Sequence, residues 1–546
     1  MTKHARIPTP HISSMAAAVA MAMACGNAQA FRFDTGDSAL KMRWDNTFKY
    51  STIYRLHDPD KKQLARYLSL DEVPSGTPAG DGDFNFDKGI ASSRLDWLTE
   101  FDLVHGGNKG FRISAAGWYD SVYSGKNDND SGFSHNLSVG PDEFTDDTQE
   151  AVGRDLRLMD AFGYYKGMLG EMPASVRLGR HTVIYGETLM SGTNGIANAQ
   201  GPVDIVKAAT VPGAQVKEFL LPTNQISATL QPVYGLSLGA YYQFKWERSA
   251  FFPAGSFLSP NDILGPGSES FNNLMAIPLS GDLKPREGGQ WGAQVRYRPE
   301  SVDVELGLYA ANYHDKTPSG VYINEREAGP PSGYTRAYQE DIRTYGVSAN
   351  TVLFDDNVSI EASVRDNMPL TGGLGYFVGS HGAYDNRDHP GYAVGKTSHV
   401  TLVDIHIFQP NFLLKDGGSV ATQLDWHRLN SVSKNKAAMD ETTTRSASTV
   451  TVAFTADYFQ VFDGVDLSFP IVWTHNLKGR SPLYVGWVEN GGSLDVGMDF
   501  TYRTVWKGGV NYHHFIGHEG TSIGAGTFDQ TLYDRDYLTF NISRAF

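Results

Sequence analysis

Cysteine is almost absent from this 546-residue chain. The single thiol, Cys25, cannot close an intrachain disulfide or build a thiolate zinc site. Long apolar runs are also missing after residue 30. No run there comes close to the ~20 consecutive apolar residues that a membrane helix requires. Cations are scarcer than anions, 46 against 61, and the net charge of −15 argues against nucleic acid as a partner. Disulfide scaffolds, helical membrane proteins and nucleic-acid binders are therefore disfavoured.

The first thirty residues have the organisation of a secretory signal. Lys3 and Arg6 form a basic start, Met15–Ala24 is an apolar run, and Ala28–Ala30 offers a cleavage site with small residues. We therefore predict that residues 1–30 are removed on export.

The mature chain, residues 31–546, is predicted to be a single domain. Cleavage would remove Cys25 and two cations but no carboxylate, so the net charge would change from −15 to −17. A lipoprotein cleavage site at Cys25 is the alternative. It is disfavoured because Ala22 stands where such a site usually has a large aliphatic residue.

Alternation of apolar and polar residues is the dominant pattern of the mature chain. In Leu40–Leu56, seven of the nine even positions are apolar but only one of the eight odd positions is. Side chains alternate between two faces on a strand, whereas a helix would need apolar residues spaced by three and four. Similar segments recur to the end of the chain, about sixteen to twenty in all. The sequence thus predicts an all-β fold, a transmembrane antiparallel β-barrel of about 18 strands.

The connections between these segments fall into two classes. Val461–Val465 and Trp506–Val510 have the composition of tight hairpins. Other connections are too long and polar for tight turns: Asp58–Asn85, Gly125–Asp147, Phe252–Gly289, Asp315–Asp341 and Asn367–Thr397. Short turns at one end and long loops at the other are typical of an outer-membrane barrel.

A soluble β-sandwich would alternate as well, and two features disfavour it. Seven of the nine tryptophans share the apolar phase of their segments, as a lipid-facing surface with aromatic girdles predicts. They are Trp44, Trp97, Trp246, Trp291, Trp426, Trp473 and Trp506. The chain also ends on an alternating strand with apolar Leu538, Phe540 and Ile542 and a terminal Phe546. This end resembles the strand by which outer-membrane barrels are recognised for assembly.

These features place the chain in the outer membrane of a Gram-negative bacterium. The partners expected there are outer-membrane lipid, lipopolysaccharide and the barrel assembly machinery. Nucleic acid is not an expected partner.

One stretch, Leu178–Pro222, breaks the alternation. It is rich in Gly, Ala and Asn and too hydrophobic for a solvated loop. Backbone that is not membrane strand must be buried in protein or line a cavity, because unpaired polar groups in lipid are costly. We predict that the stretch folds inward as a plug or constriction; a periplasmic or strand-capping segment is the alternative. The candidate constriction residues are its charged members: Arg180, His181, Glu187, Asp204, Lys207, Lys217 and Glu218.

Several segments resemble one bacterial family. They are FRFDTGDSALKMRWDNTFKYSTIYRL from Phe31, DFNFDKGIASSRLDWLTEFDL from Asp83, RLGRHTVIYGETL from Arg177, PVDIVKAATVPGAQVKEFLLP from Pro202 and GAYYQFKWERS at Gly239–Ser249. Together they resemble, over the whole mature chain, the family called domain of unknown function 1302. One departure is Tyr185, where family members often have a tryptophan before the Gly-Glu pair.

The resemblance implies an outer-membrane β-barrel of proteobacteria. Such proteins tend to be encoded beside a periplasmic companion family and inner-membrane pumps of the resistance-nodulation-division type. That association suggests envelope traffic of hydrophobic or lipid-like compounds. The family has no established activity, so it supplies no functional residues.

Catalytic and metal motifs are weak in this chain. Gly520–Gly524 matches a nucleophile elbow, but it stands in a glycine-rich loop rather than between a strand and a helix. The oxygen-rich stretches Asp81–Asp87 and Lys126–Gly132 lack the spacing of a calcium-binding loop and are interpreted as solvated loops. We therefore predict no enzymatic activity, no cofactor and no metal site.

The sequence favours a channel or transport component for small, hydrophobic or amphipathic solutes. Such a barrel could act with a periplasmic partner and an inner-membrane pump. The alternative is a closed barrel with a structural, adhesive or receptor role exerted through long acidic loops.

Overall fold

The structure, a computed structural model, describes residues 31–33, 36–61, 80–190, 192–271, 277–329, 331–372, 376–380, 382–484, 487–520 and 528–546. The predicted signal peptide and positions 521–524 of the glycine-rich loop lie outside the described residues. Among the helices in the described ranges, none is long and apolar enough to cross a membrane.

Strands dominate the described residues. The strands are β1 (Phe31–Phe33), β2 (Leu40–Arg55), β3 (Gly89–His105), β4 (Lys109–Asp120), β5 (Arg154–Leu169), β6 (Met172–His181), β7 (Thr223–Val233), β8 (Leu236–Gln243), β9 (Leu279–Leu283), β10 (Gln290–Tyr297), β11 (Val304–Tyr313), β12 (Gly320–Glu325), β13 (Gly333–Ala337), β14 (Ile342–Leu353), β15 (Asp356–Pro369), β16 (Tyr376–Ser380), β17 (Val394–Phe408), β18 (Gly418–Lys434), β19 (Ser446–Phe462), β20 (Val465–Lys478), β21 (Gly492–Tyr502), β22 (Trp506–Ile516) and β23 (Tyr537–Ala545). The α-helices are short: α1 (Asp146–Thr148), α2 (Ile205–Thr210) and α3 (Val216–Phe219). Single helical turns of other types occupy Asp81–Asp83, Val122–Ser124, Gln149–Gly153, Ile196–Ala199 and Lys436–Ala438.

Eighteen strands form a closed antiparallel barrel, as predicted. They follow one another in chain order from β2 to β23, leaving out β9, β12, β13 and β16, and each pairs with the next. The ring closes where Thr47–Arg55 of β2 pair with Ala545–Tyr537 of β23. The short strand β1 pairs with β2 at Met42–Trp44 and lies outside the count of eighteen.

The outer face of the barrel carries the apolar phase of the strands. On β14, Tyr345 and Val347 are 57% and 52% exposed, whereas Thr344 is 1% exposed. Other exposed apolar residues distributed around the ring are Leu156, Leu158, Ile226, Leu306, Leu308, Ile360, Val364, Leu402, Leu424, Ile471, Val496, Met498, Val510, Leu538 and Phe540. Soluble proteins rarely expose contiguous apolar surface on this scale, so the pattern is that of strands that face lipid.

Six of the seven tryptophans predicted on this face lie on it. They are Trp44, Trp97, Trp291, Trp426, Trp473 and Trp506. The prediction is wrong for Trp246, which follows β8 and is buried beside the ring of Tyr338. Its indole N–H donates to the carbonyl of Asp315 at 3.0 Å, so this tryptophan belongs to the loops.

One end of the barrel, the turn end, holds short connections and the last residue. The hairpin predicted at Val461–Val465 is confirmed, since Phe462 pairs with Val465. The hairpin predicted at Trp506–Val510 is wrong, because Trp506 opens β22 and pairs with Tyr502. The glycines that suggested a turn instead make room: a Cβ at Gly508 would lie 2.8 Å from the Phe500 ring.

The other end, the loop end, holds the long connections, and parts of them fold together as a cap. Strands β9, β12, β13 and β16 form a separate four-stranded sheet above the barrel strands. Val321, Tyr334, Ala337 and Tyr392 have no exposed surface in it. The parts of these long loops that the structure describes in this sheet are thus packed rather than solvated.

The irregular segment between β6 and β7 spans residues 182–222, not 178–222 as expected. Leu178–His181 complete β6, whose register with β7 pairs Leu178 with Ile226. The alternation was hard to recognise because Gly179 occupies the inward position between Leu178 and His181. We call residues 182–222 the inner segment.

Candidate functional site

Arg180 and His181, the first two candidate residues, lie at the end of β6 rather than in the inner segment. Arg180 shares the outer phase with Leu178 and forms an ion pair with Glu247. His181 lies on the inward phase, and its Nε2 is 2.7 Å from the hydroxyl of Ser227. Neither contacts the other five candidates.

Glu187 lies inside the ring, against β10, β11 and β14. Its carboxylate accepts hydrogen bonds from Arg296 at 3.0 Å and from Ser348 at 3.1 Å. The hydroxyl of Tyr309 also donates to it, at 3.4 Å. These contacts fix the start of the inner segment to one part of the wall.

Two wall residues on β15 hold the backbone of the inner segment. The Glu361 carboxylate, 2% exposed, accepts the backbone N–H groups of Glu187 and Ile196. Arg365, 1% exposed, donates through Nη2 to three consecutive carbonyls at 2.7–3.1 Å. Those carbonyls belong to Thr193, Asn194 and Gly195. Charge-assisted bonds to buried backbone groups are strong, so β15 is a main anchor of the segment.

Strands β17 and β18 extend this anchor. The Asn194 amide donates to Asp425 at 3.4 Å and accepts from His399 Nδ1 at 2.9 Å. Gln423 on β18 accepts the backbone N–H of Met190 at 2.8 Å. All three wall side chains are buried, so the segment covers this part of the wall.

The remaining candidates come together in a second anchor near β2 and β3. Lys207 bridges Asp96 on β3, at 3.2 Å, and Glu218, at 3.6 Å. Glu218 also pairs with Lys49 on β2 at 3.5 Å, and the Lys49 ammonium donates to the carbonyl of Gly213 at 3.0 Å. These four charged side chains are buried and neutralise one another.

Asp204 and Lys217 lie at the edges of the second anchor. Asp204 caps α2 by accepting the backbone N–H of Lys207 at 2.8 Å, and it pairs with Arg157 on β5 at 2.8 Å. Lys217 pairs with Glu100 on β3 but is 46% exposed. Four of the seven candidates, Asp204, Lys207, Lys217 and Glu218, are therefore assembled in one charged network.

The two anchors lie on opposite walls. In the ring of eighteen strands, β3 and β15 are separated by nine steps in either direction. The inner segment contacts Asp96 and Glu100 on the first and Glu361 and Arg365 on the second.

One wall has no such contacts. Within the described residues, no side-chain hydrogen bond or ion pair joins the inner segment to β19, β20, β21 or β22. The inward-facing residues of these strands can be identified from the strand register, because cross-strand partners share a face. The inward-facing Asp425 of β18 pairs with Thr449 of β19, and Thr451 of β19 pairs with Thr474 of β20. The partly exposed polar side chains of the inward phase here include Thr449, Thr455, Asp457, Asp466, Ser468, Thr474, Asn476, Ser493, Asp495, Asp499, Thr501, Asn511 and His513.

The cap holds a buried charged cluster that sequence analysis missed. His135 Nδ1 lies 3.0 Å from a carboxylate oxygen of Asp81 and 3.2 Å from one of Asp262. Asp81, Asp83 and Asn85 are buried, so interpreting Asp81–Asp87 as a solvated loop was wrong. No pattern could reveal the cluster, because its members come from three separate loops.

Electrostatics favour a protonated His135 and an ionised Asp262 in this cluster. Burial alone would lower the pKa of His135, but hydrogen bonds with Asp262 and Asp81 raise it to about 10. Burial and the neighbouring Asp262 raise the pKa of Asp81. Burial would also raise the pKa of Asp262, yet the bond from His135 holds it below the usual value. The three side chains could offer metal ligand atoms, but their hydrogen bonds to one another and to backbone N–H groups already account for this geometry.

The chain belongs to the family described as "Protein of unknown function (DUF1302)", which matches residues 11–546. No curated protein matches the sequence.

Distant similarity to solved barrels is also found. OccAB2 of Acinetobacter baumannii is 10% identical, covers 92% of this chain and 98% of its own, and has a TM-score of 0.43. OpdK of Pseudomonas aeruginosa, solved with vanillate, is 9% identical; the match covers 92% of this chain and 98% of OpdK, with a TM-score of 0.39. An anion-selective porin from Comamonas acidovorans is 13% identical; the match covers 93% of this chain and 100% of the porin, with a TM-score of 0.36. At this distance the similarity carries no functional inference.

Proposed function

We propose that this protein is an outer-membrane channel for small solutes. One observation carries the proposal: the inner segment is anchored to opposite walls of the barrel interior, yet leaves the wall of β19–β22 uncovered and partly exposed. A segment that only sealed the barrel would be expected to pack against every wall. A segment that leaves one wall free acts instead as a constriction beside a polar route.

The outer-membrane location rests on the exposed apolar face of an even-numbered antiparallel barrel. Short turns mark the periplasmic end of such barrels and long loops the outer end. The turn end therefore faces the periplasm, and the cap faces outward among lipopolysaccharide. Export through the signal in residues 1–30 fits this location.

Assembly through the C-terminal strand is part of the proposal. Leu538 and Phe540 lie exposed on the outer face of β23, with Ile542 in the same phase. Phe546 exchanges backbone hydrogen bonds with Asn46, and its ring stacks on Phe48 with 5.6 Å between centroids. These apolar side chains are available to the barrel assembly machinery before the ring closes.

The solutes we propose are amphipathic rather than purely hydrophobic. The uncovered wall carries hydroxyl, amide and carboxylate groups, which a purely apolar solute would have to desolvate without compensation. The free surface of the inner segment is different, with exposed Ala208, Ala209 and Val216. A route with one polar and one apolar side suits molecules that have both characters. Transfer to a periplasmic companion and an inner-membrane pump remains a prediction.

Planar bilayers test the proposal directly. Purified protein should produce discrete conductance steps, and a deletion strain should change its accumulation of an amphipathic dye. Protein heated until the barrel unfolds serves as the control and should give no steps. A natively folded barrel that gives neither conductance nor altered accumulation would contradict the channel.

The packed cap favours one second candidate, a receptor or adhesive role. A four-stranded sheet with a buried core presents a defined outer surface rather than mobile loops. Shortening the cap within Phe252–Gly289 or Asn367–Thr397 should then abolish surface binding while transport persists.

A further inference from the structure

We propose that the route through the barrel favours cations and takes small amphipathic solutes that carry an ammonium group. The inference rests on the proposed channel function and adds the charge of the solute. It is carried by the acidic side chains on the uncovered wall of β19–β22 and by the state of every cation on the inner segment.

Four aspartates face inward on the uncovered wall. Asp457 pairs in register with Ser468, and Ser468 with Asp499, so both carboxylates share one face. Asp466 lies on the same face of β20, two positions before Ser468. Asp495 lies on the same face of β21, four positions before Asp499, and 39% of its side chain is exposed. All four are partly exposed, so they meet water inside the barrel.

Few cations oppose them on that wall. Lys507 on β22 shares the inward phase and is exposed near the turn end. His513 lies 2.6 Å from Asp495 through Nδ1, and even its protonated form would leave the wall with a net negative charge. Four carboxylates against one lysine make this wall acidic at neutral pH.

The cations of the inner segment are already engaged. Lys207 is buried between Asp96 and Glu218, and Lys217 pairs with Glu100. The Tyr537 hydroxyl on β23 donates a hydrogen bond of 3.5 Å to the carbonyl of Ala209, which identifies the part of the inner segment that lies nearest to β23. The exposed residues beside that carbonyl, Ala208 and Ala209, are apolar, and the exposed Lys217 is neutralised by Glu100.

Four further cations in the inward phase are exposed: Lys166 and Arg177 on β5 and β6, and Lys41 and Arg43 on β2. Arg43 is already paired with Asp45. Strands β5 and β6 are six and seven steps around the ring from β21, on a distant part of the wall, and β2 is three steps away. Salt screens charges at such separations. The nearest fixed charges that a solute meets on the uncovered wall are therefore the aspartates, and charged side chains that line a pore select ions of opposite sign.

Reversal potentials in a potassium chloride gradient test the inference on the full-length mature protein. The wild-type channel should pass K⁺ in preference to Cl⁻, and tetramethylammonium should replace K⁺ as a carrier. The double substitution Asp495→Asn with Asp499→Asn should lower the K⁺-to-Cl⁻ permeability ratio by about twofold to fivefold. Asp303→Asn is the matched control: Asp303 is 65% exposed at a turn, pairs with Arg298, and should leave the ratio unchanged.

The outcomes separate the two proposals. Conductance with a preference for Cl⁻, or a ratio that the double substitution does not change, would overturn the cation inference and leave the channel standing. A folded wild-type barrel without conductance would overturn the channel and the inference together. Heat-modifiable migration of each variant on a gel confirms that its barrel is folded.

Discussion

Two walls of the barrel have the same alternation of polar and apolar residues but differ in how far their inward side chains are exposed. They are the covered wall of β15, β17 and β18 and the uncovered wall of β19–β22. On the covered wall the inward residues Glu361, Arg365 and Gln423 are 0–2% exposed and hold the inner segment. On the uncovered wall Asp495 is 39% exposed. Both walls are polar inside and apolar outside. Polarity alone therefore does not distinguish a wall that anchors the inner segment from a wall that lines the proposed solute route.

Geometry explains the difference. Buried carboxylate and guanidinium groups are stable only when their hydrogen bonds are satisfied, and backbone groups of the inner segment satisfy those of the covered wall. The uncovered wall carries hydroxyl, amide and carboxylate groups that remain partly exposed, so water or a solute can solvate them. The charges of the covered wall are thus used to hold the segment, while those of the uncovered wall are left for a solute.

Removing the β15 anchor should have the largest effect. Glu361→Ala would leave the buried N–H groups of Glu187 and Ile196 without an acceptor, which costs about 3 kcal/mol or more. We expect the inner segment to detach from β15, single-channel conductance to rise, and hydrogen exchange to accelerate over residues 187–196. Asp303→Ala, at a 65%-exposed side chain just before β11 that pairs with Arg298, is the control. Unchanged exchange in Glu361→Ala would contradict the anchor.

The cap should loosen at high pH. The pKa of His135 is raised from 6.5 to about 10, so its stabilising contribution is complete below pH 6.5 and is lost as the pH rises through 10. The loss is about 5 kcal/mol at most. Limited proteolysis of the loops should accelerate between pH 7 and 10.5 in the wild type. His135→Asn should remove most of that pH dependence; a wild-type cap equally resistant at both pH values would contradict the role.

Breaking the second anchor should have a smaller effect, because other cations remain beside its carboxylates. Lys207→Met leaves Asp96 with Arg94, and Glu218 with Lys49, so we expect a loss of about 2 kcal/mol. Lys217→Met, at a half-exposed ion pair, should cost less than about 1 kcal/mol. Hydrogen exchange over α2 and α3 measures both. Equal effects would show that burial does not distinguish these lysines.

The uncovered wall should tolerate substitution. Thr474 shares a hydrogen bond of 3.2 Å with Thr451 and contacts no residue of the inner segment among the described contacts. Thr474→Val should change the free energy of unfolding by about 0.5 kcal/mol or less. Denaturant titration in detergent checks this, and a loss comparable with that of Glu361→Ala would remove the contrast between the walls.

The sequence predicts the barrel better than it predicts the site. Alternation in Leu40–Leu56 and in β23 fixes strand type and face, because it reports a local property of each strand. The roles of Glu361 and Arg365 are not local: their inward phase is readable, but their partners lie more than 160 residues away. His135 is hidden for the same reason. Two glycines led to wrong predictions, because both lie within strands. Gly179 hid the alternation at the end of β6, and Gly508 suggested a hairpin within β22.

The predicted start of the irregular segment, at residue 178 instead of 182, assigned two candidate residues to the wrong element. Arg180 and His181 belong to β6, so their environment is the strand pairing with β7 and not the inner segment. Lys207 and Glu218 contact Asp96 and Lys49, which are inward-phase residues of β3 and β2, and a plug or constriction remains a prediction. Lys207 and Glu218 also bind each other, which a charge count along the sequence cannot reveal.

Thiol accessibility tests the contrast between the two walls most directly, because the only native cysteine, Cys25, lies in the predicted signal peptide. Ser493→Cys places a thiol on the uncovered wall, and Ser363→Cys places one at a 6%-exposed position on the covered wall. In planar bilayers, a charged, water-soluble thiol reagent should change the current through Ser493→Cys within seconds and leave Ser363→Cys unaffected. Equal reaction at both positions, or reaction only at 363, would contradict the proposed route.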